Sequence, residues 1–245
     1  MARSFVAASS QYLSNASAVL TTTPITMACW FYSLDITAEY TLISIGVSGS
    51  GDNRHGLFIS GNVAGDPVRA ITRTTATGIA ASTTGYSANV WQHACAVFVS
   101  ATDRRAYVNG GSEGTNATSR APTGMNNTLI GAVQGVALST FMSGRIAEAG
   151  IWNVQLNASE IAALAKGVSP LRIRPNALKA YWPLFGVGSP EPDYSNGGFH
   201  MTLNAAPVQA AHAPVMPPFF REDWYGEFTT AAAAAGKPWN YYAQQ

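Results

Sequence analysis

Val90-Trp91-Gln92-His93-Ala94-Cys95-Ala96-Val97-Phe98-Val99-Ser100 decides the fold class. Side chains of a strand alternate between its two faces, so Trp91, His93, Cys95, Val97 and Val99 share one side, and Gln92, Ala94, Ala96 and Phe98 the other. Both sides are largely apolar. A half-buried strand shows one polar side, so this run is expected to lie centrally in a sheet, covered by a second sheet and by a loop or neighbour.

The same kind of run recurs on either side of it. Residues 25–34, 40–47, 55–60, 68–73, 104–109, 128–132, 144–153 and 177–184 are β-rich. Turn chemistry such as Gly49-Ser50-Gly51-Asp52-Asn53, Asn109-Gly110-Gly111 and Asn126-Asn127 bounds them. Short strands at this spacing predict an all-β antiparallel sandwich or barrel. One helix interrupts the pattern at 156–167, where Asn157 can cap and Glu160, three residues on, completes a capping box. Gly167 and Pro170 stop it, and its narrow stripe of Ile161, Leu164 and Ala165 is expected to plug one end of the sandwich.

Charge excludes one class of partner. Lys and Arg number 14 against 13 Asp and Glu, for a formal net charge of +1, with no basic cluster, so nucleic-acid binding has no electrostatic support. Hydrophobic residues make up 47% and charged residues only 11%. So neutral a surface favours cover by partner subunits, and a homo-oligomer is expected. Met1-Ala2-Arg3-Ser4-Phe5-Val6 lacks the apolar core of an export signal, and no run approaches the roughly twenty residues of a membrane span. Cys29 and Cys95 read as two buried thiols, with a bridge between neighbouring strands left open.

Toward the C-terminus the composition shifts to proline and large rings, among them Phe219, Phe220, Trp224, Tyr225, Phe228, Trp239, Tyr241 and Tyr242. That composition is unlike a disordered tail and suits an extended arm lying on its own domain or on a neighbour. The chain therefore divides into a sandwich over 1–205 and an arm over 206–245.

Gly144-Arg145-Ile146-Ala147-Glu148-Ala149-Gly150-Ile151-Trp152-Asn153, followed by Leu156-Asn157-Ala158-Ser159-Glu160-Ile161-Ala162-Ala163-Leu164, resembles the closing strand and helix of laminin-G-like, concanavalin A-like jelly rolls. Ile25-Thr26-Met27-Ala28-Cys29-Trp30-Phe31, Trp91-Gln92-His93-Ala94, Ala106-Tyr107-Val108-Asn109-Gly110 and Tyr181-Trp182-Pro183-Leu184 repeat that pattern in order over roughly residues 5 to 205. The resemblance implies a two-sheet antiparallel jelly-roll sandwich with one short helix and an extended C-terminal arm. Trp30, Trp91 and Trp152 are expected to fill the space between its sheets.

Candidate sites are few. The alternating carboxylates by which some members of that superfamily cleave glycans are missing: Glu148 stands alone in its strand, and Glu222-Asp223 would face opposite ways if extended. His55, His93, His200 and His212 have no metal-ligand spacing and are read as structural. Asp193-Tyr194-Ser195-Asn196-Gly197-Gly198 is the best calcium candidate, yet it departs from the turn of relatives and also reads as an Asx turn closing a loop. Asp52 and Asn53 are a weaker pair. No catalytic, cofactor-binding or metal-binding residue is assigned, and no cofactor is expected.

Proteins similar to this family include lectins, carbohydrate-binding modules and many proteins encoded by tailed bacteriophages. The resulting expectation is a non-enzymatic virion structural protein, a capsid decoration or accessory surface protein of a tailed phage. Its partners would be the major capsid protein or neighbouring copies, and it would reside in the virion after synthesis in the host cytoplasm. The alternative is a glycan-binding module reading cell-surface polysaccharide through loops at one edge, with Tyr86 as a loop aromatic.

Overall fold

The computed structural model describes residues 1–186 and 188–215, in which strands build two antiparallel sheets stacked as a jelly-roll sandwich. The larger sheet runs β10 (Gly111–Asn116), β9 (Asp103–Val108), β8 (Trp91–Ser100), β3 (Ile25–Ser33), β12 (Gly144–Trp152), β1 (Ala2–Phe5) and β15 (Val208–Ala210), with β13 (Leu178–Trp182) also paired to β12. The second sheet runs β14 (Thr202–Asn204), β2 (Tyr12–Asn15), β11 (Asn127–Ile130), β4 (Glu39–Gly46), β5 (Arg54–Ser60), β6 (Pro67–Arg73) and β7 (Thr77–Gly85). The sequence reading missed β1, β2, β7, β10, β14 and β15. These strands are short or, like β7 with its Thr, Ser and Gly, carry no apolar alternation.

Alternation in β3 sets the interior. Ile25, Met27, Cys29 and Phe31 point at the second sheet and join Leu13, Leu42, Ile43, Ile45, Leu57 and Ile59 in one buried cluster. Each large aliphatic side chain so buried contributes about 1.5–3 kcal/mol. Ala94, Ala96 and Phe98 of β8 face the same interior, whereas Cys95 and Val97 belong to a separate cluster on the outer face. The doubly covered strand read from the sequence is therefore present.

The outer cover of the larger sheet is a helix, α1 (Ala158–Ala165), not the end plug expected. Its capping box forms as read: Asn157 Oδ1 accepts the Glu160 N–H at 3.0 Å, and Glu160 Oε2 accepts the Asn157 N–H at 2.9 Å. Ile161 and Leu164 then settle on Cys95, Val97, Tyr107 and Trp152, an apolar patch left by the strands' second faces. Gly110, in the turn between β9 and β10, lies directly against the helix, where a Cβ would come within 2.8 Å of the Ala162 backbone.

Trp30, Trp91 and Trp152 likewise depart from expectation. None fills the space between the sheets: Trp152 lies under α1, and Trp30 and Trp91 sit on the outer face with Ala2, Ala147 and Ala213. Alternation forces this, because Cys29 and Phe31 already occupy the inward positions flanking Trp30. Trp182 is the tryptophan in the inter-sheet cluster.

Of the segment expected as an arm, β15 lies beside β1, and Ala213 and Val215 cover Trp30. The aromatic residues from Phe219 onward and the Glu222-Asp223 pair lie outside the described residues.

Candidate functional site

With α1 and residues 211–215 on the larger sheet, the outer face of the second sheet offers side chains of another kind. Cross-strand register pairs Arg54 with Arg73, Gly56 with Ile71 and Phe58 with Arg69, and then Ile71 with Ile79 and Arg69 with Ala81. Residues two apart share a face, so three arginines flank an apolar floor of Phe58, Ile71 and Ile79, with Val133 packed against it. Gly56 makes that floor possible: the Phe58 ring lies where a Cβ would stand, 2.4 Å from its position.

The charges on this face are held in place. Arg69 Nη1 donates to Glu39 Oε2 at 3.1 Å, and Ser60 Oγ donates to the same oxygen at 2.8 Å. Arg73 Nε donates to Asp52 Oδ1 at 2.9 Å. Arg54 Nη1 donates to the carbonyls of Gly51 and Gln134. Burial, then the adjacent Arg73 guanidinium, pulls Arg54 below the ordinary arginine range. Nε of Arg54, Nε of Arg69 and Oδ1 of Asn127 have no protein partner. Phe58, Ile71 and Val133 are only 2%, 6% and 2% exposed, so they brace the arginines from beneath, and the face presents fixed forked donors and carboxylate acceptors, the groups that a sugar's hydroxyl pairs require. The sequence held the signal in Arg54-x-Gly56-x-Phe58 and Arg69-x-Ile71-x-Arg73, but only the β5–β6 register puts the two runs side by side.

The residues singled out from the sequence take structural roles. Asp193 Oδ1 accepts the N–H groups of Tyr181 (2.9 Å) and Ser195 (2.8 Å), and Oδ2 that of Phe199 (3.0 Å). Its carboxylate closes an Asx-type loop, as one of the two sequence readings had it. Asp52 is committed to Arg73, and Asn53 Oδ1 accepts the Thr123 N–H at 3.2 Å. Among the described residues, no three His, Cys, Asp or Glu side chains converge as metal ligands.

His55 and His93 are 2% exposed, and burial drives each to a pKa of about 3, helped at His55 by Arg104. His200 Nδ1 accepts the Asp193 N–H at 3.1 Å. Glu148, alone in the sequence pattern, sits at a bulge of β12 with φ of +54° and is 5% exposed. Tyr181 Oη donates to it at 2.6 Å, and His212 Nε2 stands 3.2 Å away. Tyr86 is not a loop aromatic open to a ligand: it is 4% exposed and meets Phe31 edge-on at 5.6 Å within the inter-sheet core.

Solved structures share this fold. A Bacteroides ovatus ATCC 8483 protein assigned to carbohydrate binding aligns over 86% of this chain and 61% of its own, with 19% identity and a TM-score of 0.63. The CBM40 of the Ruminococcus gnavus IT-sialidase, bound to α2,3-sialyllactose, aligns over 67% of this chain and 98% of its own, at 14% identity and 0.52. The enzymatically active domain of tailspike protein 2 from bacteriophage CBA120 aligns over 75% of this chain and 31% of its own, at 13% identity and 0.55. Identities this low speak for the fold alone. No curated protein matches the sequence. The family match spans residues 7–162, more than half of the chain, and the protein belongs to the concanavalin A-like lectin/glucanases superfamily.

Proposed function

We propose that this protein is a non-enzymatic, lectin-like module that binds glycan on the outer face of the second sheet. The observation that carries the reading is the cross-strand set of Arg54, Arg69 and Arg73 around the Phe58–Ile71–Ile79 floor. Binding rather than cleavage fits the carboxylates there, because Glu39 and Asp52 are each tied to an arginine instead of facing each other across a cleft as an acid and a nucleophile would. The sialyllactose bound to the Ruminococcus module and the carbohydrate-binding assignment of the Bacteroides protein support the same reading.

A glycan array probed with the full chain tests it. Binding above background that falls at least tenfold in Arg69→Ala and Arg73→Ala, with Arg105→Ala on the other sheet unaffected, is expected; tenfold corresponds to about 1.4 kcal/mol. Silence across the array, or binding indifferent to both changes, would refute the proposal.

A second reading places the module on a phage particle as a decoration or accessory surface protein, assembled with capsid protein or further copies of itself. The tailspike domain of bacteriophage CBA120 and a surface of almost balanced charge favour it. Mass spectrometry of purified particles from the source should then find the chain at structural stoichiometry, and its absence from them would end that reading.

A further inference from the structure

Charge on the arginine face of the second sheet does not balance. Arg54 and Arg73 stand directly opposite each other in the β5–β6 register, where paired side chains have Cβ atoms about 4.5–5.5 Å apart. Like charges placed so destabilise a sheet. Asp52 offsets one of the two, its Oδ1 accepting from Arg73 Nε at 2.9 Å. Glu39, the other carboxylate of the face, is engaged by Arg69 and Ser60. Among the described residues Arg54 has no ion-pair partner, and it donates only to the carbonyls of Gly51 and Gln134, both through Nη1. Three guanidiniums against two carboxylates leave one positive charge uncompensated. Burial and the neighbouring Arg73 already work against that charge on Arg54.

The N–H groups left over indicate what supplies the missing charge. Arg54 Nη2 and both Nη atoms of Arg73 have no partner among the described residues and, unlike Arg54 Nε, are not shut away from solvent. Arg73 and Asp52 are 38% and 37% exposed, so their ion pair is weak and leaves the outer nitrogens of Arg73 free to share with a ligand. Sugar hydroxyls satisfy such donors but bring no charge. An oxyanion does both, because the guanidinium fork matches two of its oxygens.

We infer, on the basis of the glycan reading above, that the ligand of this face is an acidic glycan whose carboxylate or sulfate seats between Arg54 and Arg73. The oxyanion accepts from Arg54 Nη2 and from the outer nitrogens of Arg73, which turns a like-charged cross-strand pair into a bridged one. Arg69, held by Glu39, is left for hydroxyl groups.

An array of uronic-acid, ulosonic-acid and sulfated oligosaccharides, each printed beside its carboxyl-reduced or desulfated counterpart, tests this with the unaltered full chain. Removing the acid should lower binding by about tenfold or more, and which treatment does so distinguishes a carboxylate from a sulfate. Arg54→Gln should cost the acidic glycans a similar factor, and Arg54→Lys, which restores the charge without the fork, should recover part of it. Neutralised glycans bound as tightly as their acidic parents would overturn the acidic seat and leave the glycan reading intact. So would acidic binding indifferent to both Arg54→Gln and Arg73→Gln. Silence on every spot would remove both.

Discussion

Arg3 Nε donates to Glu191 Oε2 at 2.8 Å, with side chains 4% and 0% exposed, so the first strand is bound to a loop 188 residues away. Arg3 also donates to the carbonyls of Pro207 and Gly188, which gathers both ends of the described chain around one guanidinium. Glu191→Ala would leave that cation buried without its counter-charge and should cost about 3–5 kcal/mol. Arg3→Met combined with Glu191→Leu should cost far less, since no charge is then stranded. Urea unfolding of the single and double variants reads the difference, and equal losses in the two would contradict it.

Acid should weaken the fold through His55 and His93. Both are held neutral with pKa values of about 3, first by burial, against about 6.5 in an unfolded chain. Between these values the unfolded chain binds the extra protons, so stability is full above pH 6.5 and falls as pH drops toward 3. From pH 7 to pH 5 each site removes about 2 kcal/mol. His93→Phe, which keeps a ring beside Trp30, should abolish about half of that pH sensitivity in urea titrations. An unchanged slope would show that His93 titrates freely in the folded protein.

Cys29 pairs with Ala94 and Cys95 with Ala28, so the thiols occupy adjacent strands one residue out of register. One-residue offsets change faces: Cys29 points between the sheets and Cys95 outward toward α1. They cannot bridge without turning a strand over, which settles what the sequence left open. Burial also pushes both thiols up, further from the reactive thiolate. Native protein should therefore ignore a thiol reagent over hours and yield two thiols in urea, even after exposure to an oxidant. Loss of both thiols in non-reducing peptide maps would be incompatible with this geometry.

Local signals were legible and directional ones were not. The Asn157–Glu160 box needs only a three-residue spacing, and the double cover of Val90–Ser100 follows from its own alternation. Which way Trp30 points could not be read, because Ala28-Cys29-Trp30-Phe31 is apolar on both faces and periodicity does not say which face is inside. The arginine face needed the pairing of β5 with β6, a register that no single run encodes. Tyr86 follows Gly85 and reads as a loop residue until Phe31, distant in sequence, is placed against it.

The sandwich is also closed along one side by a close approach of two edge strands. Edge strand β10 of the larger sheet abuts edge strand β7 of the second, where Thr84 Oγ1 donates to Ser112 Oγ at 2.6 Å. At Gly114 a Cβ would fall 1.6 Å from the Ala81 carbonyl oxygen and 2.5 Å from its carbon, atoms with no rotamer to escape into. Gly114→Ala must therefore pry the two edges apart, at a cost of about 1–3 kcal/mol or more. Gly111→Ala in the same strand meets nothing within 4 Å and should stay within about 0.5 kcal/mol of the unaltered protein. Hydrogen exchange should follow the same division, with protection lost along β7 and β10 in the first variant and retained in the second. A neutral Gly114→Ala would mean that these edges do not touch in solution.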